Sequence, residues 1–122
     1  MGGSSTDSIK DLALLSSGEV AVVGVTASRD QPDVTPDALQ PQLPAAIDGF
    51  LGVFSIDTFA PRYFSFLGST GGGGLNKLVT TGMTAYVIGS VFSPELGGVA
   101  LACEDPSPPN CSALLAEVDL TP

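Results

Sequence analysis

Hydrophobic positions along the chain come in short runs divided by turn residues, and most runs follow the pattern of strands rather than of helices. Gly18 to Thr26 (GEVAVVGVT) is β-branched and nearly continuous, which predicts a buried strand. Apolar residues resume at Ile47 and continue through Phe50, Leu51, Val53, Phe54, Ile56 and Phe59. Past the Ala60-Pro61 break they run on through Tyr63, Phe64, Phe66 and Leu67, so two strands and much of the core are expected here. Leu75 to Thr81, Thr84 to Phe92, Val99 to Cys103 and Ser112 to Leu120 read as further short strands, divided by Gly82, by Pro94 to Gly98 and by the proline-rich Glu104 to Asn110. Strands about ten residues apart with turn signals between them predict an all-β fold, a small β-barrel or β-sandwich.

Two stretches fall outside that rhythm. Met1 to Thr6 (MGGSST) reads as a flexible arm, because Gly and Ser neither bury area nor restrict the backbone. The following DSIKDLALL places Ile9, Leu12 and Leu15 at a spacing of three, which predicts a short helix capped by Thr6 or Asp7. Residues 1–17 are therefore read as an arm with a short helix, and 18–122 as a single β-domain. Ala27 to Pro44 contains Pro32, Pro36, Pro41 and Pro44 and admits no strand ladder, so a long loop is expected. Within it, Thr35-Pro36-Asp37 has the form of an N-cap followed by proline at the first helical position, which predicts a single turn through Leu39. A loop of that length in a small domain is expected to press against a neighbouring subunit.

Charge then narrows the classes of partner. The 122 residues hold 13 acids and 4 bases, a net charge of −9. Phosphate backbones reward dense Lys and Arg, so nucleic acid is not an expected partner. The same sign opposes docking on anionic lipid, no run nears the roughly 20 apolar residues of a membrane span, and no secretory signal is visible. Only 14% of residues are charged while 43% are hydrophobic, which predicts a largely neutral surface of the kind that lies against other subunits.

Chemistry-bearing motifs are sparse. The glycine-rich Gly68 to Gly74 could cradle an anion with its amides, but Lys77 follows the last glycine by three residues and leads into β-branched Val79-Thr80-Thr81 rather than a helix, so a hairpin tip is expected. Cys103 and Cys111 bracket a short loop. They are read either as a disulfide worth about 2 to 3 kcal/mol or as two reduced thiols. With no histidine and no second cysteine pair a zinc site is not expected, and Glu104 and Asp105 lack the ligand register of a calcium loop. The N-terminal Met1-Gly2-Gly3 fits an acylation pattern and Asn110-Cys111-Ser112 a glycosylation pattern, both read as accidental. A nucleophile has no histidine to serve it, and no Gly-x-Ser-x-Gly elbow is present. Catalysis and a cofactor are not expected.

The second half carries a cadence: Gly74 to Gly82 (GLNKLVTTG), Ala85 to Val91 (AYVIGSV), Gly98 to Ala102 (GVALA) and Leu115 to Leu120 (LAEVDL). It resembles the small head-decoration, or cement, proteins of tailed bacteriophages over about 50 residues. The resemblance implies a β-rich body with an N-terminal arm, held on the outer capsid surface of the virion as an oligomer, often a trimer, and reinforcing the major capsid protein lattice. The Cys pair and the proline-rich loop depart from that pattern. Subunit contacts are expected at the arm (Gly2, Gly3, Asp7), the loop (Pro32, Pro36, Pro41, Pro44) and the hairpin (Gly71, Gly74). Two rival readings stand beside it: a secreted or surface domain binding carbohydrate or protein through an aromatic platform among Phe50, Phe54, Phe59 and Tyr63, and a phage tail or fibre module.

Overall fold

The computed structural model describes residues 2–69, 71–91, 95–96, 99–100 and 114–122, and among them the chain is all-β, with no helix. Strands β1 (Asp7–Leu14), β2 (Val20–Thr26), β3 (Asp48–Phe54) and β4 (Pro61–Leu67) form an antiparallel sheet in the order β1-β2-β3-β4. Strands β5 (Gly73–Thr81), β6 (Thr84–Val91) and β9 (Leu114–Asp119) form a second antiparallel sheet in the order β5-β6-β9. Between β6 and β9 a two-stranded ribbon pairs β7 (Glu95–Leu96) with β8 (Val99–Ala100). Cys103 and Cys111, and the ends of the expected strands beyond Ala100 and before Leu114, lie outside the described residues.

The two large sheets pack face to face as a sandwich. Ala21, Val23, Leu51, Val53 and Tyr63 of the first meet Leu75, Leu78, Ala85, Val87 and Val118 of the second in one buried cluster. Side-chain alternation explains the partition, since residues two apart share a face. Ala85 and Val87 of β6 point into the core while Tyr86 and Ile88 point out.

A second buried cluster lies on the other face of the four-stranded sheet. Phe50, Phe54, Phe64 and Phe66 gather there with Val22, and Leu43 and Val34 of the proline-rich segment are laid over them. Phe50 and Phe64 stack at 5.3 Å, and Phe66 meets Phe64 edge-on at 6.1 Å. The segment also closes the outer edge of β4. The Thr35 and Phe66 amides donate to the Phe64 and Gln40 carbonyls at 3.2 and 3.1 Å, and the Gly68 amide donates to Gln40 Oε1 at 2.8 Å. Prolines exclude this segment from a ladder, yet Thr35 and Gln40 supply the partners an exposed edge lacks. The loop expected to press on a neighbouring subunit thus packs its inner side on its own sheet, while Pro32, Pro36 and Pro41 stay exposed. Thr35 and Ala38 close a turn at 3.0 Å there rather than a helical turn through Leu39.

The N-terminal expectation needs correction. Asp7–Leu14 is a strand, not a helix, and its register with β2 skips Lys10 between Ile9 and Asp11. That β-bulge inserts one extra residue, so Ile9 and Leu12 share the outer face with Leu14 although they are three apart, the spacing that mimics a helix in the sequence. Leu15, expected on the same face as Ile9 and Leu12, turns into the core instead. The preceding Gly2 to Thr6 is tied down rather than loose: the amides of Gly3, Ser4 and Ser5 donate to Asp7, Asp30 and the Ser28 hydroxyl, each at 2.9 Å.

Candidate interaction surface

The proline-rich segment covers only the β3–β4 half of the outer sheet face. Cross-strand registers run Ile9–Gly24–Phe50–Phe66, Leu12–Val22–Gly52–Phe64 and Leu14–Val20–Phe54–Pro61, so each row starts on β1 with an aliphatic residue and ends on β4. Where the cover stops, an apolar groove of about 560 Å³ opens, floored by Val22 and Phe54 and walled on one side by Ile9, Leu12 and Leu14. Ile56 and Phe59, from the turn joining β3 to β4, form the opposite wall. Leu12 and Leu14 are 60% and 61% exposed and Phe59 is 72% exposed.

Phe59 has a backbone φ of 57°, a left-handed conformation that a bulky side chain seldom adopts. The turn enforces it: the Phe59 amide donates to the Ser55 carbonyl at 2.8 Å and the Ser55 amide to the Ala60 carbonyl at 3.0 Å. An aromatic ring is therefore held out at the groove rim at a cost in backbone energy.

The outer face of the second sheet is mixed, with apolar side chains set beside Lys77 and Glu117, which pair with Ile88 and Tyr86 across the ladder. Val79, Tyr86, Ile88 and Leu115 are exposed there, with Val79 paired to Tyr86 and Ile88 to Leu115 across the ladder. The sandwich thus presents apolar side chains on both of its outward faces.

The expected contact residues fall into different environments. Asp7 is half-buried and accepts from the Gly3 amide, from the Thr26 and Ser28 hydroxyls and from the Gln31 amide group. Burial opposes its ionisation, but these donors, Thr26 foremost, outweigh that and hold the carboxyl below its ordinary value. Asp7 anchors the arm from inside. Gly2, Gly3 and Pro44 are half-buried, Gly71 is exposed, and Gly74 is buried, where a β-carbon would stand 2.2 Å from Val25 Cγ1. Gly74 is thus a point of close approach within the chain rather than a presented contact.

Three amides of the glycine-rich turn are spent within the chain. Ser69 donates to Asp48 Oδ2 at 2.9 Å, Gly72 to the Ser69 carbonyl at 2.9 Å and Gly73 to the Ile47 carbonyl at 3.3 Å. The segment is not the expected hairpin tip: it carries the chain from β4 of the first sheet to β5 of the second, two strands that do not pair. Of the aromatic platform proposed among Phe50, Phe54, Phe59 and Tyr63, only Phe59 reaches the surface; the other three are buried.

The groove was not legible as a site from sequence, because the Lys10 bulge disguised β1. The available signal was the set Ile9, Leu12 and Leu14, too apolar for a surface strand without a partner. Comparison of the chain with protein-family models, with curated proteins and with solved structures finds no match.

Proposed function

We propose that the chain is a structural subunit of a symmetric assembly, a decoration protein bound to the outside of a tailed-phage capsid and stabilising its lattice. The observation that carries this reading is the exposed apolar groove on one outward face of the sandwich, together with the exposed Val79, Tyr86, Ile88 and Leu115 on the other. A subunit that reinforces a lattice needs one contact for the lattice and another for its neighbours, and area burial supplies both without directed chemistry. The net charge of −9 keeps such a subunit apart from packaged nucleic acid and suits an outer location. The carbohydrate-binding alternative loses its expected platform, since Phe50, Phe54 and Tyr63 are buried.

The test is co-sedimentation of the chain with expanded, undecorated heads of the phage that encodes it. Saturation at a fixed ratio to the capsid subunit, with heads made more resistant to heat, is the expected result. Failure to saturate, or binding that leaves head stability unchanged, overturns the reading.

A further inference from the structure

We infer that the groove between β1 and the β3–β4 turn is the contact between copies of this chain, with Phe59 of one copy seated in the groove of the next. This deepens the structural-subunit reading and rests on it, by assigning the apolar groove of the first sheet to self-association.

Area is the first argument. Ile9, Leu12, Leu14, Ile56 and Phe59 are each more than half exposed. At about 200 Å² per large apolar residue they leave roughly 600 Å² of contiguous apolar surface. That is at the upper limit for a monomer and close to the ~800 Å² per partner of a standard interface.

Shape is the second. The face carries both a hollow, floored by Val22 and Phe54, and a projecting ring on the opposite rim. A surface that holds its own knob and its own hole can pair with an identical surface, which is what self-association through one patch requires. The Phe59 ring already stands in solvent on a backbone fixed by the turn, so the main chain that carries the knob needs no rearrangement on association.

Charge is the third. The groove is lined wholly by apolar residues although the chain has a net charge of −9, so two copies can meet there without placing like charges in contact. A basic partner would find no acid within the groove lining to pair with.

The test uses Phe59→Gly, which relieves the left-handed backbone while deleting the knob, together with Leu12→Lys on the facing wall. Native mass by light scattering is followed from about 1 µM to about 1 mM, the range that separates weak from firm association. The wild-type chain is expected to exceed its 12.3 kDa monomer mass. Each variant should weaken association at least thirtyfold, as removal of an interface anchor does at roughly that level. Phe59→Gly should keep the wild-type circular dichroism and unfold at no lower denaturant concentration, which separates loss of contact from loss of fold. A wild-type chain that stays monomeric throughout, or variants that keep the wild-type mass, overturn the inference. Head binding by the same proteins keeps the two ideas apart: a chain that coats heads as a monomer retains only the capsid reading, and one that associates through Phe59 without coating heads retains only this contact.

Discussion

The Asp48 carboxylate fills the space that a side chain on Gly68 would need: a β-carbon at Gly68 would stand 1.8 Å from Asp48 Oδ1. The acid is fully buried and accepts from the Gly49 and Ser69 amides at 3.0 and 2.9 Å. It thereby joins the start of β3 to the turn after β4. Gly68→Ala must expel Asp48 and strand both amides, at an expected cost of about 3 kcal/mol or more. In an Asp48→Ala background the same change should cost less than about 1 kcal/mol, because the obstacle is gone. Equal costs in the two backgrounds, measured by urea unfolding, would refute the steric account.

Burial also pushes the Asp48 carboxyl up to about 6, against the two amides that favour its ionised form. The folded value lies above the unfolded one, so the native state binds more protons between them and stability falls as pH rises from about 4 to about 6.5. The full drop is up to about 3 kcal/mol. Asp7 and Glu19 act in the opposite sense: their folded values are depressed, so their contribution is lost as pH falls through the acid range. Thermal midpoints should therefore peak near pH 4 to 5, and Asp48→Asn should flatten the decline above the peak. A midpoint that climbs steadily from pH 4 to 7 would contradict the burial argument.

These two predictions depend on a residue that looked ordinary in the sequence, and the reason lies in what a linear pattern encodes. Alternation and β-branching were sufficient for β2 to β6 and β9, because burial on one or both faces repeats every second residue. The pattern misleads at β1 because Lys10 is an extra residue whose bulge shifts the alternation midway. The proline-rich segment was recognisable as loop. Its role as cover for Phe50, Phe64 and Phe66 was not, since Leu43 and Val34 reach those rings only through the fold. The groove and the Asp48 site arise from residues brought together across separate strands.

Arg62 offers a test at the other end of β4 from Gly68. Its Nε donates to both Glu19 oxygens at 2.9 and 2.7 Å, and Nη2 donates to the Leu120 carbonyl at 2.7 Å, tying β4 to the turn before β2 and to the end of β9. The Glu19 pair is partly exposed, which limits its worth to below about 1 kcal/mol, whereas a charged donor on a backbone carbonyl is worth about 1.5 to 3 kcal/mol. Arg62→Ala should therefore destabilise by about 2 kcal/mol and Glu19→Gln by about 0.5 kcal/mol. If Glu19→Gln proves as costly as Arg62→Ala, the anchoring of Leu120 is not the main contribution.

Gln40 separates the two ways in which the proline-rich segment closes the β4 edge. Its backbone carbonyl accepts from Phe66, while its side chain both accepts from the Gly68 amide at 2.8 Å and donates to the Gly68 carbonyl at 3.0 Å. Gln40→Ala removes only the side-chain pair. The loss should be about 1 to 2 kcal/mol, the usual range for unpairing a part-buried amide. Hydrogen exchange gives the sharper readout. The Gly68 amide should lose protection well beyond the global change in stability, and the Phe66 amide should follow the global change alone. If both amides lose protection together, the segment lifts from β4 as a unit and Gln40 acts as its latch; if neither does, the edge is held closed by the packing of Leu43 and Val34 on the phenylalanines.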